Sequence, residues 1–334
     1  KKWQMPDGTP VLVGNQFNTT VDEKGNTFIY PQGDLSVKPS GKLPKGGYYF
    51  DGLVRQEPID EDHMNGKLDY QDDFEVMNDA TLRSIEEQVN YYYNNTDYGI
   101  NLGNFVAGLG DFAPLPGPGL KKTKGIRNVE EWMMAHYLHP EYVKEIFDYQ
   151  TEIALENLKL LKQAVGNKAQ VIQISGTDFG TQQCEIMSPD TYREFYKPYY
   201  KKINQWVHDN TQWKTFYHCC GSIVRLLDDF AEIGIDVLNP VQCSAVGMDP
   251  KFLKEKYGEK FVFWGGGVDT QKTLPFGTPE EVKKEVLERL AIFTKGGGFV
   301  FNAIHNIQGP TPIENILAMF EAVQEFNNKP IKRW

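Results

Sequence analysis

Beyond residue 170 the chain alternates short runs of β-branched and aromatic residues with longer stretches of helical period. Gln170-Val-Ile-Gln-Ile-Ser175 reads as a strand, followed by helix from about 189 to 209. Lys214-Thr-Phe-Tyr-His218 is a strand before helix 222–233, and Ile235-Asp-Val-Leu-Asn239 a strand before helix near 250–256. Phe261-Val-Phe-Trp264 precedes helix 278–295, and Phe299-Val-Phe-Asn302 precedes helix 312–327. Five strand-then-helix units in a row predict a parallel sheet, and so many in one run favour a closed barrel. The alternative is an open doubly wound sheet, which would announce a glycine-rich dinucleotide loop near its first strand. None is evident.

Upstream the pattern changes. Residues 72–95 read as helix, with Met77, Leu82 and Ile85 on one side, and Tyr98 to Val106 reads as a strand running into the glycine- and proline-rich loop 107–119. Residues 128–165 are helical but broken at His139-Pro140, because proline disfavours helix at the residue before it. Residues 1–60 carry turn signals (Pro6-Asp-Gly, Glu23-Lys-Gly-Asn, Pro31-Gln-Gly-Asp, Lys45-Gly-Gly) between short alternating runs. They predict an antiparallel β excursion near the barrel mouth, the alternative being loop packed on the barrel. The whole of 1–334 is expected to be one barrel domain. Its start, Lys1-Lys-Trp-Gln-Met-Pro, has neither an initiator methionine nor a signal-peptide pattern, so the native N-terminus is expected to be missing.

The chemistry collects around Trp213-Lys-Thr-Phe-Tyr-His-Cys-Cys-Gly221. On a strand side chains alternate faces, so His218 and Cys220 share one face and Cys219 takes the other. An imidazole and a thiol on one face are two of zinc's preferred ligands. Taken alone, the pair is more often a buried histidine beside an ordinary buried cysteine. Its surroundings turn the reading. Asp178 follows the strand at 170–175, Asn239 and Gln242 follow the third strand, Asp269 the fourth, and His305 with Gln308 the fifth. Loops after the strands of a parallel barrel share the face where active sites are built. His305 is thus the natural third zinc ligand, with Asp178 a further ligand or a neighbour that supports one. Cys219 is expected to face the helix layer, and Cys243 is a bystander or an alternative ligand. Gly265-Gly-Gly-Val-Asp269 lacks the lysine of a phosphate loop. Gly266, Gly267 and Asp269 let backbone approach a bound cofactor, or simply form a tight turn. His63, His136, His139 and His208 have no partner in the sequence pattern.

Composition narrows the function classes. Of 334 residues, 40% are hydrophobic and 24% charged, as in a soluble globular protein. A net charge of −10 without a basic patch speaks against nucleic-acid binding. No apolar run approaches the length of a membrane span. The four cysteines, two of them adjacent, suit a reducing, cytoplasmic compartment.

Four segments carry a resemblance: Tyr217-His-Cys-Cys-Gly-Ser222, Gly234-Ile-Asp-Val-Leu-Asn-Pro-Val-Gln242, Phe263-Trp-Gly-Gly-Gly-Val-Asp269, and Gly297 to His305 followed by Gly309-Pro-Thr-Pro-Ile-Glu-Asn315. Together, from about 98 to 327, the chain resembles the uroporphyrinogen decarboxylase superfamily, which implies a (β/α)8 TIM barrel with residues 1–60 as an insertion. The His-x-Cys signature is similar to that of its zinc-dependent, corrinoid-linked methyltransferase branch, which implies zinc on His218 and Cys220. The branch's third ligand is commonly a cysteine, and His305 stands at that position. The resemblance implies methyl transfer of the O-demethylase kind in anaerobic one-carbon metabolism, between a methoxy or methylamine-like compound and the corrinoid (cobalamin) of a partner protein. Asp178, Asn239 and Gln242 would orient the substrate, and a homodimer is compatible with it. The alternatives are a metal-free decarboxylase of a polyacid, with Arg55 and Arg127 as its only basic contributors, and a non-catalytic corrinoid-binding module.

Overall fold

The computed structural model describes residues 1–104 and 106–328. Its first part holds β1 (Lys2–Gln4), β2 (Pro10–Leu12), β3 (Thr19–Val21), β4 (Thr27–Ile29), β5 (Gly41–Leu43) and β6 (Asp51–Gly52). β1 and β2 form one antiparallel pair, and β3 to β6 a second antiparallel sheet in chain order. The turns fall where the glycines predict them. Between β3 and β4, Asp22 Oδ1 accepts the N–H groups of Lys24 and Asn26, both at 2.9 Å, and Gly25 takes a φ of 81°. Of the two sequence expectations for this segment, the antiparallel one holds.

Next come α1 (Gly66–Tyr70), α2 (Asp79–Asn95), β7 (Asn101–Asn104), α3 (Val129–Leu138), α4 (Pro140–Val165) and β8 (Val171–Ser175). The chain continues through α5 (Pro189–Phe195), α6 (Lys197–Asn210), β9 (Lys214–His218), α7 (Leu227–Glu232), β10 (Val237–Asn239) and α8 (Pro250–Tyr257). It ends with β11 (Val262–Trp264), α9 (Thr273–Phe276), α10 (Pro279–Phe293), β12 (Phe299–Val300) and α11 (Ile313–Phe326). The break at His139-Pro140 is where the sequence predicts it, with Pro140 opening α4.

Other boundaries differ for local reasons. The helix predicted over 72–95 starts at Asp79, because the Asn78 side chain accepts from Thr81 N and fixes the start. The helix predicted over 189–209 is two, since Pro198 in the first turn of α6 supplies no N–H to continue α5. The helix predicted over 222–233 shrinks to the six residues of α7, because 219–226 are taken up by the loop that follows β9. Of the strand predicted over 98–106, Phe105 lies outside the described residues.

The chain divides into two compact units. Lys1–Val76 with Gly110–Ile153 form one, and Met77–Leu109 with the chain from Ala154 on form the other. In the first, Trp132, Tyr70, Phe74 and Phe147 build an aromatic core around a buried Arg127. In the second, the six parallel strands pair in the order β12-β11-β10-β9-β8-β7. Each strand pairs with its sequence neighbours and the order never reverses. A doubly wound sheet reverses at a switch point, so this is a barrel wall of the (β/α)8 TIM type, six of whose strands lie among the described residues.

Helices cover the outer face of that wall. Tyr217 packs on Tyr200 of α6 and Phe230 of α7, at ring distances of 5.0 and 5.2 Å. β9 therefore turns Tyr217 and Cys219 outward, and Phe216, His218 and Cys220 to the opposite face. α10 shows why a wall helix forms. Pro279 opens it, Thr278 and Glu281 close a reciprocal capping box, and Val282, Val286, Leu290 and Phe293 form one buried stripe. The stripe meets Ala318, Met319 and Ala322 of α11, and each large side chain buried there contributes about 1.5–3 kcal/mol. No helix among the described residues is long and apolar enough to cross a membrane.

Candidate metal centre

The loop after β9 is pinned residue by residue. The N–H of Cys219 donates to Asn239 O (2.6 Å) and that of Cys220 to Asp178 Oδ1 (2.6 Å). Those of Gly221 and Ser222 donate to Gln242 Oε1 and Thr181 O, both at 2.7 Å. Gly221 has a φ of 89°, and a Cβ there would collide with the carbonyl group of Gly180. Only glycine ends the strand this way.

The pinned loop holds Cys220 Sγ 3.4 Å from His218 Nε2. His305, on the loop after β12, completes a group whose ligand atoms all lie within 4.8 Å of one another. A tetrahedral zinc with ordinary Zn–N and Zn–S bonds separates its N and S ligands by roughly 3.6 Å, so the His218–Cys220 pair fits one ion. His218 and Cys220 are half-buried and His305 is exposed. Among the described residues no second such group of histidine, cysteine and carboxylate donors occurs.

The tautomer of His218 is set by Asn239. Asn239 Nδ2 donates to Trp264 O (2.9 Å), which can only accept, so Oδ1 faces His218 Nδ1 at 2.7 Å. Nδ1 carries the proton, and the lone pair of Nε2 points toward Cys220 as a metal ligand requires. The β9–β10 register, with His218 opposite Asn239, places this pair. Burial and the adjacent Asp178 carboxylate push the Cys220 thiol well up, so a bound cation must displace its proton. Burial, and then the neighbouring His218, push His305 down, which keeps its imidazole neutral and able to ligate. The residues present fit zinc. Asn239→Leu is expected to fold and to bind zinc about 10–100-fold more weakly, measured by chelator competition. An unchanged affinity would mean the ring needs no such support.

The other predicted residues divide. Asp178 faces the Cys220 backbone and is not one of the three clustered donors. Asn239 is engaged at both ends within the protein. Gln242 lines a pocket of 440 Å³ together with Cys220, Gly221 and His305. Gly266, Gly267 and Asp269 are buried. A Cβ on Gly266 would lie 3.0 Å from Val241, and one on Gly267 would meet the Phe301 ring and Asn302 O. The space these glycines leave is filled by neighbouring protein atoms. Asp269 shapes the turn after β11, Oδ1 accepting from Gln271 N at 2.7 Å and its carbonyl from Leu274 N. Thr270 and Gln271, just beyond, reach the pocket.

All four cysteines are free. Cys219 faces outward as expected, buried, its Sγ accepting from Phe179 N at 3.2 Å. The Cys243 thiol is pushed up to about 12 by burial and stands apart from the donor group. Three of the remaining histidines find partners: His63 with Asp60, His136 with Trp132 O, and His208 with Asp236. Sequence reasoning missed Thr181, Gln182, Thr270, Gln271 and Asn306 as pocket residues. The only signal was their place just after strand ends.

The sequence model of the uroporphyrinogen decarboxylase (URO-D) family matches residues 120–326. The curated uroporphyrinogen decarboxylase of Coxiella burnetii (strain RSA 331 / Henzerling II) is 26% identical over 156 residues, 45% of this chain and 41% of that protein. That of Psychromonas ingrahamii is 24% identical over 195 residues, 57% and 50%. The chain thus spans about half the length, or less, of these relatives. A solved methyltransferase from Methanosarcina mazei superposes with a TM-score of 0.55 at 22% identity, over 84% of this chain and 72% of that one, and so shares its fold. The URO-D match contains all of β8 to α11, the stretch that carries five of the six described barrel strands and the three donors, and this chain belongs to the uroporphyrinogen decarboxylase family.

Proposed function

We propose that this chain is a methyltransferase, moving a methyl group between a small methylated compound and a corrinoid protein, with zinc held by His218, Cys220 and His305. One observation carries the reading: two imidazoles and a thiol with ligand atoms within 4.8 Å of one another, two of them lining a pocket of 440 Å³. The shared fold of the M. mazei methyltransferase supports it. When bound, zinc supplies Lewis acidity toward the substrate heteroatom and lowers the pKa of a bound hydroxyl or thiol. The protein's own groups do the rest. Asn239 fixes the ring of His218, Asp178 and Gln242 hold the loop of Cys220 in place, and Gln242 faces the substrate. In demethylation the O–CH3 bond breaks with its electron pair staying on oxygen, which takes a proton. The second substrate, a corrinoid protein in its Co(I) state, supplies the pair for the new bond to carbon.

The decarboxylase reading needs cations for the substrate's carboxylates. Arg55 Nη2 donates to Gly117 O, and the fully buried Arg127 is paired with Asp73 at 2.7 Å. Both are engaged within the first compact unit, which counts against that reading.

Purified protein is expected to contain about one zinc per chain by elemental analysis, and to demethylate a methyl ether only with added Co(I) corrinoid. Protein that stays metal-free after zinc is supplied, and is inert with corrinoid, would sink the proposal.

A further inference from the structure

The pocket beside the three donors has an unusual lining. Its neutral polar walls are Thr181, Gln182, Gln242, Thr270, Gln271, Asn306 and Gln308, and Ile304 is its one aliphatic side chain among the described residues. No lysine, arginine, aspartate or glutamate lines it, and no phenylalanine, tyrosine or tryptophan, among the described residues. Gln182 Nε2 donates to Gln271 Oε1 at 3.1 Å, so two of the amides brace each other.

Gln242 differs from them. The Gly221 N–H can only donate, and it takes Gln242 Oε1 at 2.7 Å. That bond orients the amide, and Nε2 is the end left facing the pocket. Gln242 is 7% exposed, and its Nε2 meets no acceptor among the described residues. An amide donor that opens on the pocket takes its acceptor from water or from a ligand that displaces that water.

We infer that the methyl donor is an uncharged molecule bearing hydroxyl or ether oxygens, one of which accepts a hydrogen bond from Gln242 Nε2. The inference rests on the methyl-transfer reading of the adjacent site. The lining excludes the competing substrate classes on physical grounds. A carboxylate or sulfonate would meet no cationic side chain there, and its one counter-charge would be the zinc, which it would occupy in place of the heteroatom that carries the methyl group. A methylated ammonium ion would find neither a carboxylate nor an aromatic face. An aromatic methyl ether would have no ring to stack on. A polyol methyl ether, by contrast, matches amides and threonine hydroxyls with its own donors and acceptors.

Calorimetric titration of the zinc-loaded protein with glycerol methyl ether, 4-methoxybenzoate and trimethylammonium tests it. Glycerol methyl ether is expected to bind at least about tenfold more tightly than either ion. Gln242→Glu keeps the acceptor for Gly221 N and replaces the donor by an oxygen. It should weaken the neutral ligand about tenfold or more and gain affinity for trimethylammonium, with zinc content unchanged. Gln242→Met should lose the neutral ligand without that gain, and serves if the glutamate variant does not fold. Tighter binding of methoxybenzoate, no binding of any probe, or an unaltered affinity in the variants would overturn the inference. Zinc measured in parallel separates the two failures. Zinc-free wild type sinks the methyl-transfer reading, whereas zinc with the wrong ligand preference sinks only the substrate class.

Discussion

Cys220→Ser is expected to lose zinc while keeping its fold. Full ligand sets hold zinc with about 10–16 kcal/mol, so one ligand is worth about 3–4 kcal/mol, a hundred- to thousandfold in affinity. A serine hydroxyl does not replace a thiolate, because it keeps its proton at neutral pH. The fold should survive, since the loop is held to Asp178 through the Cys220 backbone N–H and not through its sulfur. Burial and Asp178 raise the pKa of the free thiol, so zinc must displace a proton to bind. The sign follows: in the wild type zinc affinity rises with pH, and in the serine variant it rises less. Competition with a chromophoric chelator at several pH values measures both effects. Cys243→Ser is the control. Its thiol stands outside the donor group, so its zinc affinity should match that of the wild type. The opposite pattern, with Cys243→Ser losing the metal, would replace Cys220 in the ligand set.

The barrel wall was legible because burial on both faces leaves a continuous apolar strand, and Phe261-Val-Phe-Trp264 shows this in the sequence itself. The donors were legible for a related reason. Strand alternation puts His218 and Cys220 on one face, and strand ends in a parallel barrel converge. What stayed hidden depended on neighbours distant in sequence. Asn239 reads as a substrate-orienting amide until the β9–β10 register sets it against His218 and β11 offers Trp264 O. Gly266 and Gly267 read equally well as a ligand cradle, and only the positions of Val241 and Phe301 show that protein fills the space. Helix 222–233 failed because its periodicity continues through residues whose backbone N–H groups bond elsewhere, that of Arg225 to Glu185 Oε1 and that of Leu226 to Ile223 O. In each case a hydrogen bond or a contact across strands decided between readings that the local pattern left open.

Arg127→Met is expected to destabilise the protein by about 3–5 kcal/mol, as removing one partner of a buried ion pair does. The guanidinium is wholly buried, and it binds Asp73 through two N–H···O contacts of 2.7 and 2.9 Å. Its remaining donors reach the carbonyls of Lys124 and Asp69, and its face lies 4.2 Å from the Tyr70 ring centre. Burial alone would lower its pKa, but the hydrogen bonds it donates to Asp73, with the charge of that carboxylate, outweigh burial and raise it, so the charge is held firmly. Methionine fills a similar volume but leaves the Asp73 carboxylate, 11% exposed, without its counter-charge. Denaturant unfolding should show the loss, and adding Asp73→Leu should recover part of it, since removing both charges also removes the desolvation they share. This variant also tests the function. An arginine that bound substrate carboxylates would be lost with activity gone and stability intact. Here stability should fall, while zinc per folded chain and the affinity for a neutral ligand hold. An Arg127→Met protein as stable as the wild type but inactive would return the decarboxylase reading to first place.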